Sequence, residues 1–236
     1  DGEIVSLTKK SHNISTLKSK KLLSKTLTEI DLSIDEIEKG QFQHFMLKEI
    51  HDQTHSITNT MRGRLNFKDG TTNLGGISEF ITSLINASRI YITACGTSWH
   101  AGLIGKHLIE DYAQVPVHVE YASEFRYRNV IIDSDTILIA ISQSGETADT
   151  LAAIKKAKEL GALTLGICNV VGSSISRETD GGIYTHAGPE IGVASTKAFT
   201  SQVTVLTMLA LMLGRKIGVD KNRGKKLISS LSQLDK

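Results

Sequence analysis

Six consecutive residues, Ser142-Gln143-Ser144-Gly145-Glu146-Thr147, place three hydroxyls, an amide and a glycine between an apolar run (136–141) and a helix-patterned stretch (148–160). Where a strand turns into a helix, the first helical N–H groups lack internal partners and the positive end of the dipole faces outward. Backbone N–H groups and Ser/Thr hydroxyls at such a turn can share the oxygens of a phosphate. The segment holds no lysine or arginine. That argues against a nucleotide triphosphate cradle and for one phosphate on a small molecule. Cys95-Gly96-Thr97-Ser98 forms a second hydroxyl-bearing glycine turn, between an apolar run (90–94) and another helical pattern (99–112). Taken singly, either turn is equally well explained by Ser and Thr as helix N-caps. Their joint meaning depends on whether the fold brings them together.

A third segment, Gly188-Pro189-Glu190-Ile191-Gly192-Val193-Ala194-Ser195-Thr196-Lys197, precedes an apolar helical stretch (196–215). Ser195 could simply cap that helix, with the glycines permitting the turn. Alternatively the segment closes over a ligand and presents the backbone of Gly192 and Val193. Spacing alone leaves both open. Lys197 and Glu190 have the chemistry of Schiff-base and proton-transfer groups, but their positions fit a first-turn helix residue and a turn residue better. Cys95 and Cys168 each end an apolar run, which suits small core-edge residues in a reduced, cytoplasmic setting rather than a disulfide framework. His51 and His55 share a helical face at i, i+4, yet no third ligand or general-base glutamate accompanies them. No metal or other cofactor is expected.

The elements that must position these residues follow from periodicity. Residues 1–33 lack it, are rich in Ser, Thr and Lys, and read as a linker. Residues 35–62 read as one long helix, from Ile37, Phe42, Phe45, Met46, Ile50, Ile57 and Met61. A polar turn (68–73) and a second helix (77–85) follow. From Arg89 the pattern alternates between apolar runs (90–94, 117–120, 136–141, 163–167, 182–185) and helices (99–112, 123–127, 148–160, 174–178, 196–215). Unbroken β-rich runs between helices predict an α/β fold with a doubly wound, five-stranded parallel sheet. In the flavodoxin-like strand order, the first and third strands meet at the switch point and ligands bind beyond their carboxyl ends. The 97–98 and 142–147 turns would then face one crevice.

Composition bounds the alternatives. The 236 residues can bury a sizeable core, and a net charge of +2 calls for neither nucleic acid nor an anionic membrane. The basic opening stretch (Lys9 to Lys25) has no interleaved aromatics and reads as solvated. The longest apolar stretch, 203–213, falls short of the roughly 20 residues that span a bilayer, which predicts a buried helix.

These motifs closely resemble the SIS domain, and specifically that of the isomerising glutamine–fructose-6-phosphate aminotransferases (glucosamine-6-phosphate synthases). The resemblance rests on Cys95 to Ser98, Ser142 to Thr150 and Glu190 to Phe199, together with His44 to Ile50 and Asn59 to Arg64. It implies that Ser142, Gln143, Ser144 and Thr147 hold the phosphate of fructose 6-phosphate or glucosamine 6-phosphate. Thr97 and Ser98 would lie beside the sugar hydroxyls, and Val193 would contact the sugar through its backbone. The third segment is thereby read as a ligand contact. The resemblance further implies a cytoplasmic homodimer, with UDP-N-acetylglucosamine as a regulator in eukaryotic-type members. The family's glutaminase domain and its second SIS subdomain find no counterpart here. That subdomain supplies the catalytic lysine, glutamate and histidine, so no catalytic residue is carried over. The organisation expected is 1–33 as linker or the end of a glutaminase domain, 34–88 as helices packing on the domain, 89–220 as the first SIS subdomain, and 221–236 as the start of a connection to a second SIS subdomain. A phosphosugar sensor within a regulator would require a helix-turn-helix, which the sequence lacks. A stand-alone phosphosugar isomerase would require a base that is not evident.

Overall fold

The computed structural model describes residues 2–25 and 38–234. Contacts divide the chain into two units, 1–36 and 37–236. In the first, β1 (Glu3–Leu7), β2 (His12–Thr16) and β3 (Leu22–Leu23) pair antiparallel in that order. Val5 lies opposite Ile14, and Ile14 opposite Leu23. This corrects the expectation of a helical segment alone before the main sheet, and it sets strands in a stretch whose sequence shows no periodicity. Every residue of β1 is exposed, so no buried face imprints the alternation by which half-buried strands are recognised. The sheet is held by its ladder and by the Thr8–Ser11 turn, where Thr8 Oγ1 accepts the Ser11 N–H at 3.0 Å. The rest of the expected linker, 26–33, lies outside the described residues.

The second unit opens with α1 (Phe45–His51) and α2 (Gln53–Met61). The single helix expected over 35–62 is thus shorter and divided. Residues 35–37 lie outside the described residues, and Gly40 turns with φ +58°, a left-handed backbone no helix interior accepts. At Asp52 the backbone stays near helical values (φ −69°, ψ −11°), so the apolar period runs across the break undisturbed. Gly63 (φ +71°) ends α2. A short hairpin, β4 (Leu65–Asn66) and β5 (Thr71–Thr72), occupies this region, so part of the polar turn expected over 68–73 is strand. The expected helix over 77–85 is a 3-10 turn, Gly75–Phe80, running into α3 (Ile81–Asn86).

The main sheet comprises β6 (Arg89–Ala94), β7 (Val117–Tyr121), β8 (Thr136–Ser142), β9 (Leu163–Cys168) and β10 (Gly181–Tyr184), all parallel, in the order β10-β9-β8-β6-β7. This is the predicted doubly wound topology. The connections carry α4 (Gly96–Ala113), α5 (Ala122–Tyr127), α6 (Ala148–Glu159) and α7 (Ser174–Glu178). After β10 come α8 (Lys197–Lys216) and α9 (Lys221–Leu231), the latter a helix where only a connection was expected.

Alternation along the buried strands assigns two cores. Ile90, Ile92, Ile137, Ile139 and Ile141 pack with Ala101 and Ile109 of α4 and with Val205, Leu206 and Leu209 of α8. Tyr91, Leu138 and Ala140 face the other way, toward Phe125 of α5 and Ala153 and Ile154 of α6. Helix α8 has the length and hydropathy of a membrane span, but 83% of that window is buried inside the fold, as in a core helix. Its approach to α4 is close enough that a Cβ on Gly214 would lie 2.6 Å from the Tyr112 carbonyl oxygen. Asp220 caps α9, its Oδ1 accepting the N–H groups of Asn222 at 2.8 Å and Arg223 at 3.1 Å.

Candidate functional site

Strand register decides where the hydroxyl turns meet. Ala94 pairs with Ile141, so β6 and β8 end level at the point where the strand order reverses. Beyond their carboxyl ends opens a crevice of about 380 Å³, lined by Gly96, Thr97, Ser98, Ser142, Gln143, Ser144, Thr147, Glu190, Gly192 and Val193 among others. All seven residues singled out as ligand contacts line this one space. Ser98 and Ser142 are buried, while Thr97, Gln143, Ser144 and Thr147 are half-buried.

The loop after β8 is shaped from within. Ser142 Oγ accepts the Gly145 N–H at 3.0 Å and lies 3.1 Å from Thr147 Oγ1. Ser144 Oγ accepts the Glu146 N–H at 3.2 Å. Gly145 adopts φ +67°, and a Cβ there would fall closer than 3.0 Å to both Oγ and Cβ of Ser173. Glycine is therefore required on two counts, backbone and space. The loop is tied to α7 through Ile175 N–H to the Gly145 carbonyl (2.9 Å) and Ser174 N–H to Glu146 Oε1 (2.7 Å). The Ser174 hydroxyl and backbone hydrogen bonds hold the Glu146 carboxyl below the usual carboxylate range.

Helices α4 and α6 both begin at this crevice, and neither has a side-chain cap. Two helix N-termini thus direct uncapped N–H groups and positive dipole ends at one space, beside six hydroxyl side chains. Among the described residues, neither lysine nor arginine lines it. The arrangement suits an anion held by neutral donors.

Comparison with protein families matches residues 83–212 to the SIS domain. The chain belongs to the SIS domain family. Among curated relatives, the glutamine–fructose-6-phosphate aminotransferase (isomerizing) of Chlorobaculum tepidum is 54% identical over 234 residues, covering 99% of this chain and 38% of that protein. The corresponding aminotransferase 1 of Rattus norvegicus is 50% identical over 87% of this chain and 30% of its own length. The C-terminal domain of glucosamine-fructose-6-phosphate aminotransferase from Francisella tularensis superposes with a TM-score of 0.78 at 40% identity, covering 84% of this chain and 56% of that one. This SIS domain is homologous to the isomerase region of those aminotransferases and spans about a third of their length.

Around the crevice of this SIS domain lie groups that motif reading leaves without a role. Glu190 lines the space, but its Oε1 accepts the N–H groups of Thr196 (2.8 Å) and Ala198 (3.2 Å), capping α8. Lys197 is buried and paired with Asp52 Oδ2 at 3.3 Å. The structure thus gives Glu190 and Lys197 the structural roles that their positions favoured. Gln202, also buried, donates from Nε2 to Ser98 Oγ at 3.0 Å. Glu49 accepts three hydrogen bonds from the 188–196 segment. Glu49 and Gln202 went unnoticed because their partners are 142 and 104 residues away in sequence. Val193 borders the crevice, and its side chain is fully exposed.

Proposed function

We propose that this SIS domain is the phosphosugar-binding part of an isomerising glutamine–fructose-6-phosphate aminotransferase, an enzyme converting fructose 6-phosphate and glutamine to glucosamine 6-phosphate and glutamate. The observation that carries the reading is the convergence of two uncapped helix N-termini and six hydroxyl side chains on a crevice that, among the described residues, has no cationic side chain in its lining. In it, Ser142, Gln143, Ser144 and Thr147 hold the phosphate through their hydroxyls, amide and backbone N–H groups. Thr97 and Ser98 face the sugar hydroxyls, and the Val193 backbone closes over the ring. Ser98 already accepts a hydrogen bond from Gln202, leaving its own hydrogen for the sugar. Among the described residues no lysine lines the crevice, and nearby Lys197 is turned toward Asp52. Amination therefore draws its lysine, glutamate and ring-opening histidine from another part of the enzyme. The reading places the protein in the cytoplasm as a homodimer without a cofactor.

Calorimetric titration tests it. Fructose 6-phosphate should bind and unphosphorylated fructose should not. Ser144→Ala or Thr147→Ala should weaken binding by about 1–3 kcal/mol, the loss expected when a charged acceptor goes short of a donor. Equal affinity for fructose and its phosphate, or unchanged affinity in both variants, contradicts the proposal.

A further inference from the structure

Gly192 and Val193 form one wall of the crevice, yet they belong to a segment with no helix or strand of its own between β10 and α8. What holds that wall is a carboxylate from α1. Glu49 is 2% exposed. Its Oε1 accepts the N–H of Ile191 at 2.5 Å and of Gly192 at 3.0 Å, and its Oε2 accepts the Gly192 N–H at 3.1 Å. Two successive backbone N–H groups thus converge on one buried carboxylate, a charge-assisted arrangement about twice as strong as neutral hydrogen bonding. The seat is tight. A Cβ at Gly192 would lie 2.5 Å from Glu49 Oε2 and 3.4 Å from Met46 Cα. One turn further along, Asp52 anchors the end of the same segment through buried Lys197.

We infer that Glu49 is a positioning residue for the sugar side of the crevice. It acts through the Ile191–Gly192 backbone to set where Val193 meets the ligand, and it makes α1 part of the binding site. The inference rests on the proposed function, since it concerns the sugar contact and not the phosphate. The phosphate loop at 142–147 is built without Glu49, so the two halves of the site should separate experimentally.

The test uses the full chain with Glu49→Ala and Glu49→Gln. Glutamine keeps one acceptor oxygen for both N–H groups but sets an NH2 against the Gly192 N–H. Amide exchange by NMR reads the clamp without ligand. The Ile191 and Gly192 amides should exchange at least tenfold faster in Glu49→Ala, and those of the 142–147 loop at the unaltered rate. Titration with fructose 6-phosphate and with inorganic phosphate reads the consequence. Affinity for fructose 6-phosphate should fall about tenfold in Glu49→Ala and less in Glu49→Gln, with phosphate affinity unchanged. A purely structural role would instead weaken both ligands together, and that outcome overturns the inference. So does unchanged binding of fructose 6-phosphate in Glu49→Ala, with the proposed function left standing. If the unaltered chain binds phosphate but not fructose 6-phosphate, the proposed function fails and the positioning role with it.

Discussion

Replacing Gly145 by alanine should be among the most damaging single-methyl changes this domain can suffer. Its backbone sits at φ +67°, where an L-residue costs roughly 1–2 kcal/mol. The new Cβ would also lie under 3.0 Å from both Oγ and Cβ of Ser173, with Cys168 Sγ at 3.6 Å behind. Rotating the serine moves its Oγ but not its Cβ, so the backbone at the start of α7 must shift. That start is pinned by the Ile175–Gly145 and Ser174–Glu146 hydrogen bonds. Overpacking of this kind costs typically about 1–3 kcal/mol. Together the two effects predict a loss of about 2–5 kcal/mol, with phosphate binding weakened as the loop deforms. Urea unfolding of the unaltered chain, Gly145→Ala, Ser173→Gly and the double variant separates them. Ser173→Gly removes the obstructing Cβ, so the double variant should recover the overpacking part but not the backbone part, appearing as a coupling between the sites. A Gly145→Ala protein within about 0.5 kcal/mol of the unaltered chain, the range of an uneventful surface change, would refute the reasoning. A double variant with no recovery would refute the steric half.

Three further outcomes are expected. Asp52→Asn strands the buried Lys197 charge and should destabilise by about 3 kcal/mol, the low end for a broken buried pair because Asp52 is one-third exposed. Adding Lys197→Met should restore part of that loss in thermal or urea unfolding, and an unimproved double variant would speak against the pair. Burial pushes the Cys168 thiol up from 9.0 to about 11, so between those pH values the unfolded chain releases a proton that the folded one retains. Stability should therefore fall as pH rises through this window, by about 2–3 kcal/mol in all. Cys168→Ala should flatten that part of the pH–stability curve, and an identical slope in the variant counts against the assignment. Asp220→Ala removes the cap of α9 and should cost about 1 kcal/mol, seen as faster amide exchange confined to that helix.

How much of this was legible beforehand depended on burial. The central strands β6, β8 and β9 are buried along nearly their whole length and appear as largely apolar runs, which periodicity reading recovers to within a residue. Strand β1 is exposed along its length, and its Ile4, Val5 and Leu7 follow no period-two alternation that would mark a half-buried strand. Helix α9 was missed for a related reason. Its buried residues are only Gly224, Ile228 and Leu231, amid lysines, and its placement depends on the Asp220 cap and on close approach to Gly70.

Within the site, the sequence by itself determined the donors. The serine loop, the Gly96-Thr97-Ser98 turn and the Glu190–Lys197 segment could be named because each carries its chemistry in consecutive residues. Strand–helix turns also have a definite electrostatic sense. Tertiary structure alone decided which donors share a crevice, through the level pairing of Ala94 with Ile141. It also decided which charged groups are spent on support. Glu49, Asp52 and Gln202 each act on a partner more than one hundred residues away. A hydrogen bond is set by position in space, and no local periodicity in the chain records an encounter made only when distant helices pack.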